Sequence, residues 1–432
     1  MRVAVVGAGV SGLVSLKWLR EEGLDAVAFE RSDRVGGLWN AKPLSPAYRS
    51  LVANVSREKT SLSDHPLPAD VGDFPPRAAI ARWLDAYADR FDLRRHVRFG
   101  HEVRRVEPRW TVDGERFDAV VLASGMFTRP HLPELEGRFD GRILHSYDYD
   151  VPEPFSGLDV VIVGGGSSAA DIAVELSRVA RRVTMSVRGA LPTVPKTIRG
   201  VPFDRRQTRL ARLIPLGRRL ASRRRAILEE WARRGVDVSA LPPAVAVVPP
   251  PGVAPAPSET LVPAIASGAV AVRPGIARLG GSEIVYTDGS RDRADVIVAA
   301  TGYALDFPYL PGALWPVRDG RTHLYRHVFH PDEPTLAVVG FNRVSGPVPP
   351  IAEMQARWAA RVLAGRASLP SRDEMHAEIA ARVERAERTG AEYQRVQYVD
   401  YLDEIGALIG AKPSLWARPW LLWSTVTAEQ YR

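Results

Sequence analysis

Two glycine-rich turns are the first features of this chain that could do chemistry. The first, Gly7-Ala8-Gly9-Val10-Ser11-Gly12, follows the apolar run 2–6 (RVAVV) and opens a segment of helical periodicity reaching about Glu22. Its glycines allow a tight turn, close approach of a pyrophosphate and close helix–strand packing, while the helix N-terminus favours the negative charge. The next apolar strand, 26–30 (AVAFE), ends in Glu30. A carboxylate there can accept from both hydroxyls of a ribose and would repel a 2′-phosphate, which suits FAD or NAD. Gly7, Gly9, Val10, Ser11, Gly12 and Glu30 are the candidate contacts.

The same grammar recurs at 158–187. A strand (LDVVIV) leads into Gly164-Gly165-Gly166-Ser167-Ser168-Ala169, then a helix, then the strand RVTMSV. This second strand ends in Ser186-Val187-Arg188 instead of an acid, and a hydroxyl with a guanidinium can hold a 2′-phosphate. Gly164, Gly166, Ser167, Ser168, Ala169, Ser186 and Arg188 are therefore candidate NADPH contacts. FAD and NADPH in one chain imply hydride transfer to a flavin. The sequence has no Cys, so there is no cysteine pair to take the electrons onward, no thiolate nucleophile and no Cys-ligated metal or cluster. Quinone, ferredoxin and oxygen remain as acceptors, and the residues alone do not choose among them.

The elements that must position these turns fit a chain of 432 residues with 45% hydrophobic and 25% charged residues, enough for two or three packed units. Two further buried-looking strands, 118–125 and 294–302, end in small-residue turns, adding Ser124, Gly125, Thr301 and Gly302 as candidate cofactor contacts. A basic helical pair is expected over 204–234, broken at Pro215, inside an insert at about 200–257 that ends in a Pro-rich connector, 241–257. From Ser371 helical periodicity runs without a turn signal to Lys412-Pro413. The net charge of +8 could serve nucleic acid, a membrane surface or an anionic ligand such as NADPH. A solvated Arg-rich surface is the preferred reading, with no nucleic-acid partner. No apolar run approaches the roughly 20 residues that span a bilayer, and Arg2 leads straight into a strand with no secretion signal. A soluble, cytoplasmic protein without a transmembrane segment is expected.

Between the two turns lies Phe139-Asp140-Gly141-Arg142-Ile143-Leu144-His145-Ser146-Tyr147-Asp148-Tyr149. It resembles the FxGxxxHxxx(aromatic) fingerprint of the class B flavoprotein monooxygenases, and its terminal Tyr149 resembles the flavin-containing monooxygenase branch, where Baeyer–Villiger enzymes typically have Trp. The resemblance continues in order through Gly36-Gly37-Leu38-Trp39, through Asn54 with Arg57-Glu58 and Ser63-Asp64, and through Ala300-Thr301-Gly302-Tyr303 with Phe307-Pro308. It ends with Gln355-Ala356-Arg357-Trp358 and the 399–405 stretch VDYLDEI. It implies that Asn54 stands beside the reactive edge of the flavin as the catalytic residue, with Ala53 where Ser or Thr is usual. Gly37, Leu38, Trp39 and Val103 match FAD contacts, and Ser168 and Asp171 match positions lining the NADPH site. His145 is read as structural, orienting the linker between domains. Arg343 stands where the family often has Gln near the flavin pyrimidine.

The expected architecture is α/β, with two Rossmann-like dinucleotide-binding domains. A FAD domain comprises 1–155 plus 290–432, and a smaller NADPH domain, 156–289, is inserted in it. The resemblance implies an NADPH- and O2-dependent monooxygenase that oxygenates a nucleophilic nitrogen or sulfur of a small molecule through a flavin C4a-hydroperoxide. A Baeyer–Villiger oxygenase acting on a ketone and an NADPH oxidase or quinone reductase are the rivals. A homodimer is the favoured assembly, and the basic insert is read as a solvated helical lid in preference to a membrane-surface or partner patch.

Overall fold

The computed structural model describes every residue except 250–254, 319–320 and 390–391, so the middle of the Pro-rich connector lies outside the described residues. Two five-stranded parallel sheets organise the molecule. Their central strands, such as Val3–Val6, Ala119–Leu122, Val160–Ile162 and Val296–Ala299, are Val-rich apolar runs buried on both faces, while the outer strands Arg142–His145 and Ala271–Arg273 are partly exposed. In the first sheet the spatial order is Leu336–Val338, Ala119–Leu122, Arg2–Val6, Asp25–Phe29 and Val97–Arg98, all parallel. Helices Val10–Glu21 and Val348–Leu363 pack on each other over one face, with Tyr398–Leu408 against the second of them. Leu13, Leu16, Ile351, Met354 and Trp358 share one core there with Val3, Val5 and Val121. The sheet's carboxyl edge carries the first glycine turn, where such folds bind ligands.

The second sheet orders Arg142–His145, Val296–Ala299, Asp159–Val163, Arg182–Ser186 and Ala271–Arg273, again all parallel. Helix Ser167–Leu176 covers it, and Ile172, Val183, Met185, Ile227 and Trp231 form its core. The expected boundaries near 155 and 290 cut through this sheet. Arg142–His145 and Val296–Ala299, placed on the flavin side from sequence, pair here. The sequence marks them as strands, but which sheet a parallel strand joins is decided by tertiary pairing across some 150 residues.

The basic insert folds as Arg209–Leu213 and Leu216–Arg233, with the break at Pro215. The second helix is anchored at its far end through Ile227 and Trp231, and the first through the buried Arg209. The helical stretch after Ser371 is two helices, Arg372–Thr389 and Tyr398–Leu408, separated by the strand Arg395–Gln397. That strand pairs in parallel with Arg343–Ser345 and buries Val396, a tertiary contact that outweighs local helical preference.

Candidate functional site

The first turn is shaped so that only glycine fits. Gly7 has φ +100°, and a Cβ there would lie 2.7 Å from the Ala123 carbonyl oxygen. At Gly12 a Cβ would meet the Gly7 carbonyl oxygen at 1.9 Å, and at Gly37 it would meet Gly9 Cα at 2.9 Å. Helix, strand and the 36–39 turn therefore close around a cradle that any side chain would fill. Glu30 is held rigidly beside it. Its Oε2 accepts the Ala8 N–H (2.8 Å), and its Oε1 accepts the Ser32 N–H (2.9 Å). The Ser32 hydroxyl lies within reach of both Glu30 Oε1 and the Arg34 carbonyl (2.7 Å). With its proton on Arg34, each carboxylate oxygen keeps a free lone pair.

The cradle opens into a cleft of about 420 Å³. Gly7, Gly9, Val10, Ser11 and Glu30 line it from the first sheet, and Gly37, Leu38 and Trp39 from the turn that follows. Ala53, Asn54, Val103, Ser124 and Gly125 also line it, so all but one of the candidates from residues 1–155 meet in one place. The exception is Gly12, whose role is helix–strand packing. Asn54 is distinctive: its Oδ1 is buried with no hydrogen-bond partner. A buried orphan carbonyl costs about 1–3 kcal/mol, and an N–H donor on a bound ring would remove that cost. A closed glycine cradle, an acid with free lone pairs and an orphan acceptor together fit a flavin dinucleotide.

Residues not foreseen complete the walls. Met126, Phe127 and Thr128 follow the Ser124-Gly125 turn, and Pro347, Val348 and Pro349 come from the start of helix Val348–Leu363. The signal for these last was present as Gly346-Pro347-Val348-Pro349-Pro350, a proline-opened helix start. Arg343 is turned away to an exposed ion pair with Glu392 (3.0 Å). Thr301 and Gly302 lie outside this lining, tied to the 129–131 strand end: Thr301 Oγ1 donates to the His131 carbonyl, and the His131 N–H to that of Gly302 (3.0 Å).

The second turn repeats the cradle at Gly164, with φ +132° and a would-be Cβ 2.4 Å from the Ala300 carbonyl oxygen. Gly166 caps helix Ser167–Leu176, leaving Ser167 and Ser168 half-buried in its first turn and Ala169 buried against the sheet. The strand end differs from expectation. Ser186 is buried and donates its hydroxyl proton to the Pro274 carbonyl (2.8 Å), so it has no donor left for a phosphate. Arg188 is exposed without an ion pair among the described residues, whereas Arg273, in register with Ser186 on the next strand, is paired with Asp292 (3.3 Å).

Buried polar contacts lock the two units together. Tyr48 donates to Asp171 (2.6 Å) and Tyr149 to Glu175 (2.7 Å), with the two rings edge-to-face at 5.9 Å. Burial raises the Asp171 pKa, against the lowering effect of the Tyr48 hydrogen bond. Asp171 thus faces the first unit, with one oxygen committed to Tyr48. Lys196 donates to the Ala53 carbonyl (3.3 Å) beside Asn54, and burial lowers its pKa despite Asp171 nearby. His145 accepts the Tyr147 N–H at Nδ1 (3.0 Å), so its Nε2 carries the proton to the Gly302 carbonyl (3.0 Å). Burial holds its pKa down, and both nitrogens are engaged in fixing the crossover between units.

Two glycine cradles, one beside a ribose-binding acid and the other beside a free guanidinium, define an enzyme that carries a flavin and a nicotinamide dinucleotide. The comparisons agree. The flavin-binding monooxygenase-like family model matches residues 1–424. Human flavin-containing monooxygenase 5 is 35% identical, over 96% of this chain and 84% of its own length. Mouse dimethylaniline monooxygenase [N-oxide-forming] 2 is 34% identical, over 95% of this chain and 83% of its own length. The solved structure of S-allyl-L-cysteine S-oxygenase from Allium sativum superposes with TM-score 0.72 at 27% identity, covering 97% of this chain and 90% of that one. The chain belongs to the flavin-binding monooxygenase-like family and is an FAD- and NADPH-dependent monooxygenase.

Proposed function

We propose that the enzyme oxygenates a nucleophilic nitrogen or sulfur atom of a small molecule, with FAD in the cleft beside Glu30 and NADPH on the second cradle at Arg188. The observation that carries this reading is Asn54, a buried acceptor without a partner in a cleft whose lining also includes Ala53, Val55, Thr60, Pro347 and Val348. None of these five is ionisable; the charged lining residues Glu30, Arg31, Glu102 and Asp306 come from other segments. A neutral, soft nucleophile needs no general base, and an apolar pocket excludes the water that would divert reduced flavin. The bound cofactors supply hydride transfer and O2 activation. Asn54 would hold an N–H at the flavin's reactive edge, while Lys196 steadies the Ala53 carbonyl and with it the loop bearing Asn54. The relatives named for N-oxide formation and S-oxygenation agree with this chemistry.

The test is Asn54→Ala, measured as NADPH consumed, peroxide released and product formed with a tertiary amine, a thioether and a cyclic ketone. Flavin reduction should persist, while oxygen transfer per NADPH falls by roughly 10- to 100-fold, the equivalent of one hydrogen bond in an apolar site. Undiminished coupling overturns the Asn54 assignment, and product from the ketone alone overturns the nitrogen or sulfur reading.

A further inference from the structure

Three of the ten tryptophans, Trp416, Trp420 and Trp423, fall within eight residues of one another and are exposed, Trp416 at 99%. The other seven are buried or half-buried. The segment packed beside them is the start of the basic insert. Helix Arg209–Leu213 packs against Pro419–Leu422, Thr208 bridges to Thr425, and the buried Arg209 guanidinium reaches Gln430 (2.6 Å). Leu213 is 73% exposed, and Ile214 and Leu216 are also exposed, so apolar side chains and indoles lie on two adjoining segments. Soluble surfaces scatter such residues singly, and a cluster marks a site of interaction.

The charge around it is one-sided. Residues 208–228 contain seven arginines and no carboxylate, and the 412–424 stretch adds Lys412 and Arg418, again without an acid. Among the described residues, the ion pairs from 208–228 are Arg209–Asp403 and Arg212–Asp400. Arg218, Arg224 and Arg225 stay exposed and unpaired.

We propose that this face seats on an anionic lipid bilayer, with the indoles and leucines entering the headgroup–acyl boundary and the arginines meeting lipid phosphates. An apolar face with Trp and Leu flanked by Arg is the composition of an interfacial attachment, which buries about 5–10 Å into the bilayer and spans nothing. None of the described helices is long and apolar enough to cross a membrane. A second copy of the chain is a poor occupant, because a two-fold contact would set this arginine-rich surface against itself.

The FAD-loaded protein is floated with vesicles of phosphatidylcholine alone and of phosphatidylcholine mixed with phosphatidylglycerol. It should float with the anionic vesicles, and less so as salt shortens the screening length from about 10 Å at 0.1 M toward about 3 Å at 1 M. Combined Trp416→Ser, Trp420→Ser and Trp423→Ser substitution should lower the vesicle-bound to free ratio at least roughly ten-fold, with vesicle-free NADPH oxidation unchanged. Leu213→Ser tests the same face should that triple variant fold poorly. No flotation with either vesicle overturns the proposal. Flotation lost on Arg218→Glu, Arg224→Glu and Arg225→Glu but untouched by the tryptophan changes overturns it in favour of a purely electrostatic contact in which no indole enters the bilayer. A concentration-dependent dimer that the tryptophan variant abolishes, with no flotation, overturns it in favour of self-association.

Discussion

Replacing Lys59 with methionine should stabilise the protein at neutral pH although it removes a hydrogen bond. Lys59 is wholly buried, donating to Gln207 Oε1 and toward the Asp204 carbonyl (3.5 Å), 4.2 Å from the centre of the Tyr398 ring. Burial drives its pKa down from 10.5 to about 8, with the Asp204 charge opposing only in part. A depression of that size means the fold disfavours the protonated amine by about 3 kcal/mol. Because the folded pKa lies below the unfolded one, the unfolded chain binds more protons between about 8 and 10.5. Stability therefore rises with pH across that window, and the whole penalty is present below it. Methionine fills a similar volume without charge, at the loss of a bond worth about 1 kcal/mol. The net gain is about 2 kcal/mol at neutral pH, a rise of a few degrees in Tm. Thermal melts of both proteins from about pH 7 to about pH 10 check this: the gap should narrow and close as the lysine loses its proton. A lower Tm for Lys59→Met at neutral pH, or a gap that ignores pH, would refute the reasoning.

Two further substitutions test the cradles. Gly7→Ala combines a left-handed φ of +100° with a Cβ 2.7 Å from backbone oxygen, so the purified protein should come without flavin, read from its visible absorbance; normal FAD content would sink the cradle assignment. Arg188→Ala should raise KM for NADPH by roughly ten-fold while leaving NADH use almost unchanged, as expected for one charge-assisted contact at an exposed site. Equal effects on both nucleotides would show that Arg188 does not read the 2′-phosphate.

The parts of this fold governed by neighbours in sequence were legible in advance, and those governed by pairing at a distance were not. Both strand–glycine–helix units announced themselves because the turn chemistry is local: Gly7 and Gly164 must adopt φ values that other residues avoid. Glu30 followed from its position at a strand end. Ser186 looked equally well placed, yet its hydroxyl is taken by Pro274, 88 residues away, a partner no local pattern reveals. Asp171 was recognisable as a site residue, but its commitment to Tyr48 depends on how the two units dock. The walls at Met126–Thr128 and Pro347–Pro349 lay beside motifs already noticed, and only the folded chain brings them into one cleft with Asn54.

The second sheet has a consequence for how the molecule is made and remade. Val296–Ala299 sits between Arg142–His145 and Asp159–Val163, so a fragment cut at 156–289 would lack both outer pairings and present a long raw edge prone to aggregation. During synthesis at about 5–20 residues per second, the edge at Asp159–Val163 waits for residue 299 to leave the ribosome, which takes roughly ten seconds or more. Exchanging this unit between relatives likewise calls for junctions ahead of residue 142 and beyond Gly302. His145 and the Gly302 carbonyl it grips would then travel together.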